Sequence, residues 1–181
     1  MIPGERARPV DVRHMLCEAL DMECTCVLRY QRQYVRAAQI SSRNVQATFL
    51  RYAHKQQTHV RHIVRRIIEL GDKPNLYHEE GLIPRHMSVE RQSVLDMMID
   101  DVIAARIGID TYQKLRVCVG ADDFTTRQLV DGLLADKQKH AEELLTCMRE
   151  IATRDTAEMD QHTFLPRPVR YVSLKTSSSS E

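Results

Sequence analysis

Apolar residues recur at alternating spacings of three and four along four stretches of the chain, the period of an amphipathic helix. In the first stretch Leu16, Ala19, Glu23, Cys26 and Tyr30 share a face, and in the second Phe49, Ala53, Gln56, Val60, Ile63, Ile67 and Leu70 do. The third gives Leu95, Met98, Val102, Ala105, Ile109 and Tyr112; the fourth gives Val130, Leu133, Lys137, Ala141, Leu144, Met148 and Ile151. Punctuating residues sit at the ends of these stripes. Pro9 suits a first helical turn and opens a helix reaching about Gln39, and a second helix follows Ser42 and stops at Gly71, with Pro74 beyond. Ser88 reads as the N-cap of a third helix ending at Gly120, and Asp122 and Asp123 as the start of a fourth reaching about Arg154. Each helix is then roughly 30 residues, or about 45 Å, long.

The turns between the first and second and between the third and fourth are short, so each pair forms an antiparallel hairpin. Between the hairpins, Asp72–Met87 carries Pro74, Gly81 and Pro84 and no helical period. Extended at roughly 3.3–3.6 Å per residue, this segment spans the length of a bundle. The predicted fold is all-α: an antiparallel four-helix bundle with one long crossover between helices 2 and 3. Residues 1–154 form the bundle. Residues 155–181, with Pro166, Pro168 and a closing Ser run, form an extended or disordered tail whose Val169–Leu174 segment suits docking on a neighbour.

Composition agrees with one soluble globular domain. The 181 residues are 43% hydrophobic and 28% charged, and no apolar run approaches the roughly 20 residues of a membrane span. The five Cys form no metal or disulfide pattern and the N-terminus lacks an export signal, which points to reduced thiols in a cytoplasm. Cys24 and Cys26 are two apart, face different sides of a helix, and read as buried small residues. The net charge of +1 conceals an asymmetry: nine basic and no acidic residues lie between Arg29 and Arg66.

Glu23, Gln56 and Lys137 interrupt the apolar seams, and His59 and His140 follow Gln56 and Lys137 by three, on the same helix faces. All lie near the midpoints of their helices, as does Ala105, so the bundle brings them into one layer. Two helices that each give a Glu and two that each give Glu-x-x-His make a di-iron carboxylate site. Here the spacing is kept and most of the carboxylates are replaced.

Glu23-Cys24-Thr25-Cys26-Val27-Leu28-Arg29-Tyr30, Phe49-Leu50 through His59, Leu70-Gly71-Asp72-Lys73-Pro74-Asn75-Leu76, and Asp123-Phe124-Thr125-Thr126-Arg127 through His140 resemble bacterioferritins and their ferritin-like relatives. The resemblance covers about residues 10–152. It implies a hollow cage that stores iron, with Fe(II) oxidised by O₂ at an intrasubunit dinuclear centre. Glu23, His59 and His140 match three of the family's ligands. Gln56 and Lys137 stand where the two Glu-x-x-His units have Glu, and Ala105 (Ala104 in a register shifted by one) where helix 3 has its Glu. The family's haem-binding Met position is Gln57, so haem is not expected.

Three readings of the layer stay open. In the first the centre is inactivated, with Lys137 paired to Glu23 in place of metal and any iron at Glu23, His59 and His140 weak or vestigial. In the second those three residues hold a single metal for oxidase or residual ferroxidase chemistry. The third is an ordinary polar layer that sets helix register, in a structural or anion-binding oligomer without iron chemistry. The basic tract puts Arg51 and Lys55 where the family's cavity is acidic, a surface that favours phosphate or another anion or an acidic partner subunit. Nothing in it reads nucleic-acid sequence. The partner expected from the resemblance is a second copy of this chain or a catalytically complete ferritin-like subunit.

Overall fold

A computed structural model of the chain describes residues 9–40, 43–74 and 93–162. They form four helices, α1 (Pro9–Ile40), α2 (Arg43–Glu69), α3 (Val94–Cys118) and α4 (Phe124–His162). Local chemistry sets several ends. At the C-terminus of α2, Gly71 takes φ 78° and its N–H donates to Ile68, while the N–H of Asp72 donates to Ile67. This paired closure needs a left-handed residue, which glycine supplies without a Cβ clash. At the start of α3 the Ser93 hydroxyl accepts from the Asp96 N–H at 3.1 Å. At the start of α4, Asp123 Oδ1 accepts from the Thr126 N–H at 3.0 Å. Arg66 ties that cap to the end of α2, donating to Thr126 Oγ1 at 2.6 Å and to Asp123 Oδ1 at 2.8 Å.

The helices form an all-α four-helix bundle in which α1 packs on α2 and α3, and α4 on α3 and α2. Glu23 meets Tyr112 while Gln33 meets Asp101, so α1 and α3 are antiparallel. Arg66 meets Asp123 while Tyr52 meets Cys147, so α2 and α4 are antiparallel as well. As α1 and α2 form a hairpin, α2 and α3 point the same way, the orientation that a long crossover connection serves. Residues 75–92, which make that connection, lie outside the described residues.

Two apolar clusters fill the bundle. One, with Leu16, Leu20, Ile63, Ile67, Leu115, Val130 and Leu133, is mostly aliphatic and includes Tyr112. The other, with Tyr30, Phe49, Tyr52, Met97, Met98 and Leu144, is aromatic and sulfur-rich. Full burial of each such side chain favours folding by about 1.5–3 kcal/mol. Most residues of the expected stripes are buried, while Val60, Leu70, Leu95, Ile109, Ala141, Met148 and Ile151 are half-buried at the edges; Met97, beside Met98, is buried as well.

Three expectations need correction or qualification. The α3 cap is Ser93, and the start expected at Ser88 lies outside the described residues. Helix α4 continues past the expected Arg154 to His162; residues 163–181, including Val169–Leu174, are outside the described residues. Arg29, at the start of the basic tract, does not add to an anion-favouring surface, because its side chain is only 10% exposed and lies against Asp101.

Candidate functional site

Between the two apolar clusters lies a buried polar layer. Helix α1 supplies Glu23, whose side chain has no exposed surface. Its Oε2 accepts from Lys137 Nζ of α4 at 3.0 Å, and its Oε1 accepts from the Tyr112 hydroxyl of α3 at 2.6 Å. His59 Nδ1 of α2 stands 3.3 Å from the same Oε1. Lys137 also donates to Gln56 Oε1 at 2.6 Å and points a further N–H at Cys26 Sγ, 3.9 Å away. Burial alone would raise the Glu23 pKa, but Lys137, His59 and Tyr112 together hold it down at about 2.

His140, one turn beyond Lys137, does not reach Glu23 in the same way. Its Nε2 shares a 2.6 Å hydrogen bond with the Tyr30 hydroxyl, and its ring meets Tyr30 and Tyr52 edge-on. Desolvation first, then Lys137 and Lys55, push its pKa down to about 3, so it is neutral in ordinary conditions. Ala105 is buried within the aromatic cluster and adds no polar atom. Ala104, its alternative, is half-buried.

One helical turn from Ala105 is Gly108, which the sequence reading passed over. A Cβ there would lie 3.0 Å from Lys137 Cε and 3.3 Å from Met22 Sδ. Gly108 thus gives the lysine stem the space in which it crosses the core. An unexplained glycine within an otherwise helical pattern was the available signal.

On the α2–α4 side the layer reaches the surface. His59 Nε2 is 3.3 Å from Asp136 Oδ2, and Lys55 Nζ is 3.6 Å from Asp136 Oδ1. These residues line an open groove of about 380 Å³ with Thr58, His62, Gln128 and Gly132. Lys55 is therefore tied to a carboxylate, while the exposed Arg51 lays its guanidinium over the Tyr52 ring at 5.2 Å.

A second buried polar group on the opposite side, between α1 and α3, escaped the sequence reading. Asp101 has no exposed surface; its Oδ1 accepts from Gln33 Nε2 at 3.0 Å and lies 3.1 Å from Arg29 Nε. That last contact is close enough for an ion pair but is not aligned as a hydrogen bond, and Arg29 Nε, Gln33 Oε1 and Asp101 Oδ2 make none. Burial dominates and raises the Asp101 pKa to about 7 despite Arg29 and Gln33.

Comparison with known proteins places this architecture. A family model of the ferritin-like domain matches residues 9–153. The chain belongs to the ferritin-like family. Among solved structures, the dodecameric thioferritin of Bacteroides fragilis, a bacterioferritin-related protein, matches with TM-score 0.72 and 23% identity over 84% of this chain and 92% of that one. The bacterioferritin of Desulfovibrio desulfuricans, described with a di-iron site, matches with TM-score 0.73 and 18% identity over 97% and 99%. That of Rhodobacter capsulatus, described with a metal-free dinuclear site and haem iron, matches with TM-score 0.71 and 19% identity over 80% and 87%. At these identities the likeness establishes the shared fold. No curated protein matches the sequence.

Within this ferritin-like bundle, no three His, Cys, Asp or Glu among the described residues are placed to hold a metal ion. Also among the described residues, no helix is long and apolar enough to cross a membrane.

Proposed function

We propose that the chain is a bacterioferritin-related cage subunit that takes part in iron storage or homeostasis without a dinuclear ferroxidase centre of its own. The observation that carries this reading is the Lys137 ammonium, 2% exposed, donating to both Glu23 and Gln56. Adjacent iron ions repel one another and prefer anionic oxygen ligands. The layer offers them one buried carboxylate, an amide oxygen and the imidazoles of His59 and His140, with a fixed cation among them. The donor set does not fit two iron ions, and no oxidation step is assigned to it. A single-metal centre at Glu23, His59 and His140 is less well supported: both Glu23 oxygens are engaged, and His140 Nε2 is bonded to Tyr30.

Iron is then cargo handled by the assembly, with its oxidation supplied by a partner subunit or by the mineral itself. The charge asymmetry between the basic first hairpin and the more acidic second one supports contacts between copies, or with a catalytically complete ferritin-like subunit. Arg51 supports an anion-receptive surface better than Lys55 does, since Lys55 already faces Asp136.

The test compares Fe(II) binding and O₂-dependent oxidation in wild type and in the triple variant Gln56→Glu, Ala105→Glu, Lys137→Glu. The wild type is expected to show no saturable oxidation site, and the triple variant to gain one. Saturable wild-type oxidation that disappears in His59→Ala would overturn the reading. A folded triple variant that binds no metal would show that these positions do not make one centre.

A further inference from the structure

The buried lysine has a neighbour that the ion pair does not explain. Cys26 Sγ, on α1, lies 3.9 Å from Lys137 Nζ of α4, in a residue only 4% exposed. Arg29 Nη2 donates to the same sulfur at 3.1 Å. The sulfur thus has two cationic groups within hydrogen-bonding reach. Cys147, by contrast, faces a tyrosine hydroxyl, at 3.9 Å from Tyr52.

We propose that Cys26 and Lys137 are a redox modification site, joined by dioxygen into a covalent nitrogen–oxygen–sulfur bridge between α1 and α4. In the balanced reaction one lysine ammonium, one thiol and one O₂ give the bridge, one water and one proton. The N–O and S–O bonds form; the O–O bond, the S–H bond and N–H bonds break. Nitrogen and sulfur are each oxidised by two electrons, and O₂ takes up all four. One of its oxygens enters the bridge, the other leaves as water, and the proton passes to solvent.

Geometry favours this pair. A single oxygen atom spans the two groups after a short movement of the lysine end, and the four-carbon stem is flexible. Gly108 presents no side chain against that stem, so the movement meets no wall there. O₂ is small and apolar enough to enter a packed core, whereas bulky thiol reductants enter only when the bundle opens. Once bridged, the nitrogen is no longer an ammonium, so oxidation withdraws the cation from Glu23. The site would report oxygen exposure by changing the charge of the polar layer, independently of whether the assembly stores iron.

The test is intact-mass and peptide analysis of the full chain prepared without oxygen and then equilibrated with O₂. The expected product gains one oxygen and loses two hydrogens, titrates one thiol fewer than the five free cysteines, and links the Cys26 and Lys137 peptides. It reverts with dithiothreitol in unfolding conditions and is absent from Lys137→Arg and Cys26→Ala. Should Lys137→Arg fail to fold, the wild-type peptide map and Cys26→Ala carry the test. An unchanged mass overturns the proposal. So does a gain of whole oxygen atoms only (cysteine oxyacids), a loss of two hydrogens only (a disulfide), or the same product in Cys26→Ala.

Discussion

Two buried carboxylates in this bundle have similar company and opposite behaviour. Glu23 and Asp101 both lack exposed surface, and each has a cationic side chain and a further polar group close by. Glu23 is held at about 2, whereas Asp101 is pushed to about 7. The difference is in how many lone pairs are met. Both oxygens of Glu23 are engaged, by Lys137 and Tyr112, with His59 close to the second. Asp101 spends both contacts on one oxygen, the Arg29 approach is misaligned, and its other oxygen has no partner. A buried carboxylate is thus stabilised as an anion by directed donors on each oxygen; a nearby positive charge alone does not offset desolvation.

The largest expected effect is on the satisfied side. Lys137→Ala strands the Glu23 charge and should destabilise by about 3–5 kcal/mol in denaturant titration. The double variant Glu23→Gln, Lys137→Met, which removes both charges, should recover most of that loss. Equal loss in the double variant would show that lysine packing against Gly108, rather than charge, dominates.

The unsatisfied side should be visible in pH dependence. Folded Asp101 keeps its proton up to about pH 7, while its ordinary value is 3.8. The folded state therefore binds more protons in between, and this group's contribution is full below about pH 4 and lost as pH rises to about 7. The loss is on the order of 4 kcal/mol. His140 acts in the opposite sense, since its lowered pKa of about 3 against 6.5 costs stability as pH falls. The informative quantity is accordingly the difference between wild type and Asp101→Asn, in which the Asp101 slope should vanish. Parallel stability curves for the two proteins would remove the contrast between the carboxylates.

A smaller effect sharpens the account of Glu23. Tyr112→Phe deletes one donor to a charged oxygen and should cost about 2 kcal/mol. It should also shift acid unfolding upward, because Glu23 contributes stability above its ordinary 4.5 that is lost as pH falls towards 2. A neutral Tyr112→Phe would mean that Lys137 and His59 suffice.

The ladder of helices was legible because each helix repeats its apolar spacing many times and closes at local signals such as Pro9, Gly71 and Asp123, whose chemistry acts within a few residues. The same periodicity exposed Glu23, Gln56 and Lys137, since a polar residue on an apolar seam is visible without a partner. Tertiary structure alone decided who met whom. Tyr112 as a donor to Glu23, Tyr30 on His140, Gly108 beneath the lysine stem and Cys26 beside its amine all depend on the rotation and offset of neighbouring helices, which spacing within one helix does not encode. Asp101 lies three residues after Met98 and four before Ala105, on the buried face of α3, and Arg29 lies three after Cys26, so spacing placed both beside the seam; only the packing of α1 on α3 decided that they meet there.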